Sequence, residues 1–220
     1  RGGELTINPG MPLAGNTITL QYPPDEKFKN LSSVYAIVYS FRETSLRPVA
    51  RQAELTYNAG TQAYTGEFKL QPSTVFGMIK ITDGDKRLDN NNGLMWDFLV
   101  SAPNSGGKPV RSANYRAAIS YYGNMPAEAS RKVDFDKTLE LLEKEVTLYP
   151  ANMQAKVAYN SIRYDQKKID SAAYYRAINE LIASDFDHSV ESFVLSVVRT
   201  YTTAGKPEKA DSLRREFIAA

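Results

Sequence analysis

Ala53-Glu-Leu-Thr-Tyr57 runs through Asn58-Ala59-Gly60 into Ala63-Tyr-Thr-Gly-Glu-Phe-Lys-Leu70. Two segments rich in β-branched and aromatic residues flank a short Asn/Gly turn. Asn and Gly supply the left-handed and side-chain-bonded backbone that a tight reversal requires, so the stretch predicts a β-hairpin. Upstream, Ser33-Val-Tyr-Ala-Ile-Val-Tyr-Ser-Phe41 has the composition of a central strand. Asn16 to Tyr22 alternates, with Ile18, Leu20 and Tyr22 on one side, and Pro23-Pro24 ends it because proline has no N–H to donate. Leu5-Thr-Ile7 precedes the Pro9-Gly10 turn. Downstream come Val75-Phe-Gly-Met-Ile-Lys-Ile81, an Asp/Asn/Gly loop, and Leu94-Met-Trp-Asp-Phe-Leu-Val100. Short strands joined by short turns, with no helical period between them, predict an antiparallel β-sandwich of immunoglobulin-like size over 1–101.

Ala102 to Ser112 holds two prolines and two glycines and reads as a linker. Beyond it the apolar period becomes helical. A Tyr-rich helix over 113–122 stops at Gly123, and Asp134 caps a helix with Phe135, Leu139, Leu142 and Val146 on one face. Further helices carry Met153, Val157, Tyr159 and Tyr164, then Ala173, Ala177, Ile178, Leu181 and Ile182. Val190, Phe193, Val194, Val197, Val198 and Tyr201 form the cleanest stripe, and Ala210, Leu213 and Phe217 the last. Thr138/Leu142/Val146 recur as Ala173/Ala177/Leu181, and Tyr164/Ala173 as Tyr201/Ala210. That spacing predicts a tetratricopeptide-like array of helical hairpins over 113–220. The fold class expected is therefore α+β in two domains, a sandwich followed by an all-α array.

The chain has 220 residues, no cysteine, one histidine and a formal net charge of +2. Within it there can be no disulfide, thiolate chemistry, iron–sulfur cluster, sulfur-based zinc site or multi-histidine metal site. So even a charge balance points away from nucleic acid. No apolar run approaches the length of a membrane-spanning segment. The start at Arg1 implies a processed or trimmed N-terminus, and the helical pattern running to Ala220 is compatible with a further domain beyond.

Candidate chemistry is sparse. His188, between Asp187 and Ser189, reads as an exposed residue at a helix start, with Asp187 as cap. The loop Asp83 to Gly93 gathers Asp83, Asp85 and Asp89, oxygen donors of the kind that hold calcium. Lys86 and Arg87 lie inside it, and the composition is what a strand connection needs, so the turn is the stronger reading. Tyr121 and Tyr122, beside the linker, are the candidate binding platform. Asp134, Asp136, Glu140, Glu143 and Glu145 alternate with Lys137 and Lys144 as a solvated helix face rather than an acid–base pair. No cofactor is implied.

Several short segments resemble the N-terminal region of Bacteroidota secreted thioredoxin-like, TlpA-type thiol–disulfide oxidoreductases. They are Leu5-Thr-Ile-Asn-Pro9, Gly15-Asn-Thr-Ile-Thr-Leu20, Ala63-Tyr-Thr-Gly-Glu-Phe68, Asp89-Asn-Asn-Asn-Gly93 and Leu142-Glu-Lys-Glu-Val-Thr-Leu-Tyr-Pro150. The Cys-x-x-Cys domain of that family is not among these residues. What the resemblance implies is a periplasmic or secreted location and a non-catalytic accessory, spacer or protein-interaction role beside a redox domain. The alternative is a stand-alone peptide- or glycan-binding domain.

Overall fold

The computed structural model describes residues 4–45, 47–183, 191–203 and 205–219. The chain divides into two compact units, Arg1–Leu141 and Leu142–Ala220.

The first unit is built on one antiparallel sheet. Its strands are β1 (Thr6–Asn8), β2 (Thr17–Tyr22), β3 (Ser33–Arg42), β4 (Val49–Asn58), β5 (Ala63–Lys69), β6 (Thr74–Thr82), β7 (Leu88–Asp89) and β8 (Trp96–Leu99). They are ordered β1-β2-β5-β4-β3-β6-β7, and β8 shares the outer edge of β6 with β7. This overturns the expected immunoglobulin-like sandwich. A sandwich needs two sheets packed face to face. Here the β4–β5 hairpin joins them. β4 pairs with β3 from Val49 to Thr56, and with β5 from Thr56 to Asn58, changing partner along its own length. The two strand groups stay in one ladder, and the sheet curls into a half-barrel.

Alternation puts Ile18, Leu20 and Tyr22 of β2, Val34, Ala36 and Val38 of β3, and Ile79 and Ile81 of β6 in one core. Distant strands meet there. The Tyr22 ring stands edge-on to Trp96 of β8, centroids 5.8 Å apart. The Tyr22 hydroxyl donates to the Asp89 carboxylate of β7 at 2.7 Å, in a buried hydrogen bond that draws the curl together. β6 is buried on both faces because α1 (Ala113–Tyr122) packs on the sheet's outer side, against β6 and β8. Arg116 of α1 is buried and donates to the carbonyls of Arg42 and Glu43 at the end of β3. Residues 102–112, read as a linker, lie within this unit as a loop tied back on β8. The Ala102 amide donates to the Lys108 carbonyl at 2.9 Å and Val110 to Val100 at 2.8 Å.

The second unit takes up the end of α2 (Phe135–Leu148), then α3 (Met153–Asp165), α4 (Ser171–Ala183), α5 (Glu191–Thr203) and α6 (Pro207–Ala219). Val157, Tyr174, Ile178, Val194, Val198 and Leu213 are part of its core. The Tyr174 hydroxyl bonds both Ser161 at 3.1 Å and Thr200 at 2.9 Å, linking α3, α4 and α5. A tetratricopeptide array is not what these helices form. In a true repeat, equivalent positions are equally buried. Thr138 is buried and Ala173 exposed; Ala173 is exposed and Ala210 buried. The recurrence was one of residue type, common to any amphipathic helix. The α2 stripe also differs. Phe135 is exposed, whereas Thr138, Leu141, Leu142 and Glu145 are buried. The Thr138 hydroxyl is satisfied by the Asp134 carbonyl at 2.7 Å, and Glu145 by the Asn152 amide at 2.8 Å. Among the described residues, no helix is long and apolar enough to cross a membrane.

Gly77 of β6 lies opposite Phe98 of β8, and a Cβ there would come within 2.2 Å of the Phe98 ring. Gly77→Ala is expected to destabilise the first unit by about 1–3 kcal/mol through overpacking. Gly10→Ala, whose Cβ would meet the Ile7 carbonyl oxygen at an ordinary 3.8 Å, should be close to neutral. Urea unfolding of the two variants checks the contrast.

A candidate binding groove at the open seam of the sheet

Each step from β1 to β8 (through β2, β5, β4, β3 and β6) is antiparallel, and there are six of them. An even number of reversals leaves β1 and β8 running the same way. The isolated bridge between Leu13 and Ser101 is accordingly parallel. It is reinforced by the Ser101 amide donating to the Pro12 carbonyl at 2.8 Å. Between this pin and the Tyr22–Asp89 bond the curl stays open, as a groove of about 340 Å³.

One wall comes from Leu5, Ile7 and Gly10, on and around β1; the other from Asn91, Met95, Trp96 and Asp97. The second wall is shaped by unusual backbone. Asn91, Asn92 and Met95 all have φ near +55°, a left-handed conformation that Asn tolerates well and Met poorly. The Asn91 amide is held by Asp89 Oδ1 at 2.9 Å, and the Met95 amide by the Asn90 carbonyl at 2.7 Å.

Asp97 is the ionisable residue among those lining the groove, and it is braced from behind. Arg131, whose side chain is wholly buried, donates through Nη1 to Asp97 Oδ2 at 2.6 Å and through Nη2 to the Ser120 hydroxyl at 2.5 Å. The Tyr121 ring lies against the guanidinium, 3.3 Å from centroid to Cζ. Burial first, and the Asp97 carboxylate second, hold the Tyr121 phenol above its ordinary range.

Tyr121 is half-buried behind the groove wall rather than on a platform. Tyr122 is half-buried, edge-on to Phe135 at 5.9 Å. Asp83 caps its own turn, accepting from the amides of Asp85, Lys86 and Arg87, which together hold its carboxyl below the usual range. Asp85 is exposed, and Asp89 is buried beneath Asn91 and Tyr22. Among the described residues, no group of three or more carboxylates or histidines converges as a metal site. His188 lies outside the described residues. The lining residues Leu5, Ile7, Met95, Trp96 and Asp97 were not singled out. Trp96, the chain's single tryptophan, was the available signal. No family model matches the chain, and no curated protein matches it.

Arg131→Met should cost about 2–4 kcal/mol in urea unfolding, because Asp97 and Ser120 lose their charge-assisted partner. Burial also raises the phenols of Tyr115, Tyr121 and Tyr201. The unfolded chain therefore ionises first. Stability is expected to hold to about pH 10 and to fall as pH rises beyond it, which unfolding curves at stepped alkaline pH would read.

Proposed function

We propose that this chain is a non-catalytic protein-interaction module, an accessory segment of a secreted or periplasmic protein acting beside a thioredoxin-like redox domain. The observation that carries the interaction reading is the groove. It lies between two edge strands and is lined by Leu5, Ile7 and Trp96. It is also flanked in sequence by Met11, Leu13 and Leu94, each exposed by more than a third. Apolar surface gathered at unpaired strand edges is one recurring form of polypeptide-binding site. The buried charges nearby are braces. Arg131 and Arg116 are spent on holding α1 and the groove wall to the sheet. The envelope location and the redox neighbour rest on the five sequence segments that resemble the TlpA-type oxidoreductases.

Trp96 makes the proposal directly testable. As the chain's only tryptophan, and a groove residue, it reports occupancy by its own emission. A pooled library of tryptophan-free peptides is expected to shift and saturate that emission. A flat response across the pool would overturn the interaction reading.

A further inference from the structure

We propose that the seam receives an extended peptide segment of another protein as an added strand, antiparallel to both β1 and β8, with apolar side chains turned inward and a basic side chain turned outward to Asp97. This rests on the groove being a protein-interaction site and specifies its occupant.

Direction follows from the topology. Because β1 and β8 run the same way, a single strand between them can be antiparallel to both. It would then continue the pairing found everywhere else in the sheet. Side-chain pattern follows from the register. Ile7 lies opposite Leu20, a core residue, so it faces inward; Thr6 and Asn8, opposite Gln21 and Thr19, face outward. On β8, Trp96 belongs to the core, and Asp97 alternates to the outer side. The seam is thus apolar within and polar without. Charge follows from exposure. In the Arg131–Asp97 pair the arginine side chain is wholly buried, while 35% of the aspartate side chain is open, so the face presented to a ligand is the carboxylate. Length follows from the edges. β1 has three residues and β8 four, so the paired stretch is of that size.

The probes are the capped peptide Val-Lys-Val-Lys-Val, its backbone N-methylated form, and Val-Glu-Val-Glu-Val, each titrated into the full chain with Trp96 emission and amide hydrogen exchange as readouts. The lysine peptide is expected to saturate the emission change and to slow exchange of amides in β1 and β8. N-methylation removes the ladder donors and glutamate opposes Asp97, and each should weaken binding by about tenfold or more. Gly10→Leu, which adds a bulky side chain to the groove at a position whose Cβ meets the Ile7 carbonyl at an ordinary 3.8 Å and whose backbone is not left-handed, should abolish the response. Equal binding of all three peptides would overturn strand addition while leaving the interaction module standing. So would a response to the pooled library with none to the lysine peptide. Silence to both the lysine peptide and the pool removes the two readings together. Concentration-dependent protection of the same amides without peptide would assign the edges to a second copy of the chain and overturn the proposal.

Discussion

A sheet whose two edge strands run in the same direction cannot be closed by the antiparallel pairing that builds the rest of it. That constraint governs the first unit. β1 and β8 are brought together by curl, yet the only pairing open to them directly is parallel, and a parallel ladder would have to run along residues that cannot support it. Pro9 and Pro12 lack the N–H a ladder needs, so pairing shrinks to the bridge at Leu13 and Ser101. The groove lies between the two edges of this half-barrel.

Keeping such a seam open without collapse demands support from behind. The Tyr22–Asp89 hydrogen bond and the Ser101–Pro12 contact fix the two ends. Between them the wall leans on Arg131, whose guanidinium bonds Asp97 on one side and Ser120 of α1 on the other, with Tyr121 stacked over it. Desolvating an arginine is costly, and its attraction to one half-exposed carboxylate would not repay it alone. The hydroxyl, the carbonyls of Ala117 and Leu94, and the aromatic face share that burden. The same guanidinium fixes α1 to the sheet, so groove geometry and domain packing are coupled through one side chain.

The strands were legible in the sequence because each carries its own alternation or its own turn. Asn16 to Tyr22 and the Ala53–Leu70 hairpin form where local chemistry places them. Their assembly was not legible. Whether β4 ends one sheet or continues into the next depends on a three-residue pairing, Thr56 to Asn58, that no propensity encodes. Recurrence in the helices misled for a related reason. Alanine and leucine at helical spacing mark a helix, but not which of its faces is buried; Ala173 and Ala210 look alike in sequence and differ in the fold. The candidate site was visible only from its edges. Tyr121 and Asp89 attracted notice as an aromatic and an oxygen donor, and both turn out to stand behind the groove wall. The apolar part of the lining is ordinary Leu, Ile, Met and Trp, whose role comes from an unpaired edge rather than from residue type.

That distinction bears on how the buried ionisable groups should be read. Arg116, Arg131, Asp89 and Glu145 are all nearly inaccessible, the condition under which catalytic groups are often found. Catalysis, however, needs a group poised to exchange a proton or a bond with a ligand, whereas each of these is engaged with the chain itself. Arg116 is bonded to carbonyls at the end of β3, Asp89 to Tyr22 and the Asn91 amide, and Glu145 to the amide that caps α3. Asp97 differs from these, because its brace is buried while 35% of its own side chain is open. A carboxylate fixed in place by a buried arginine has little orientational entropy left to lose when a cation approaches. It therefore suits recognition, where preorganisation raises affinity.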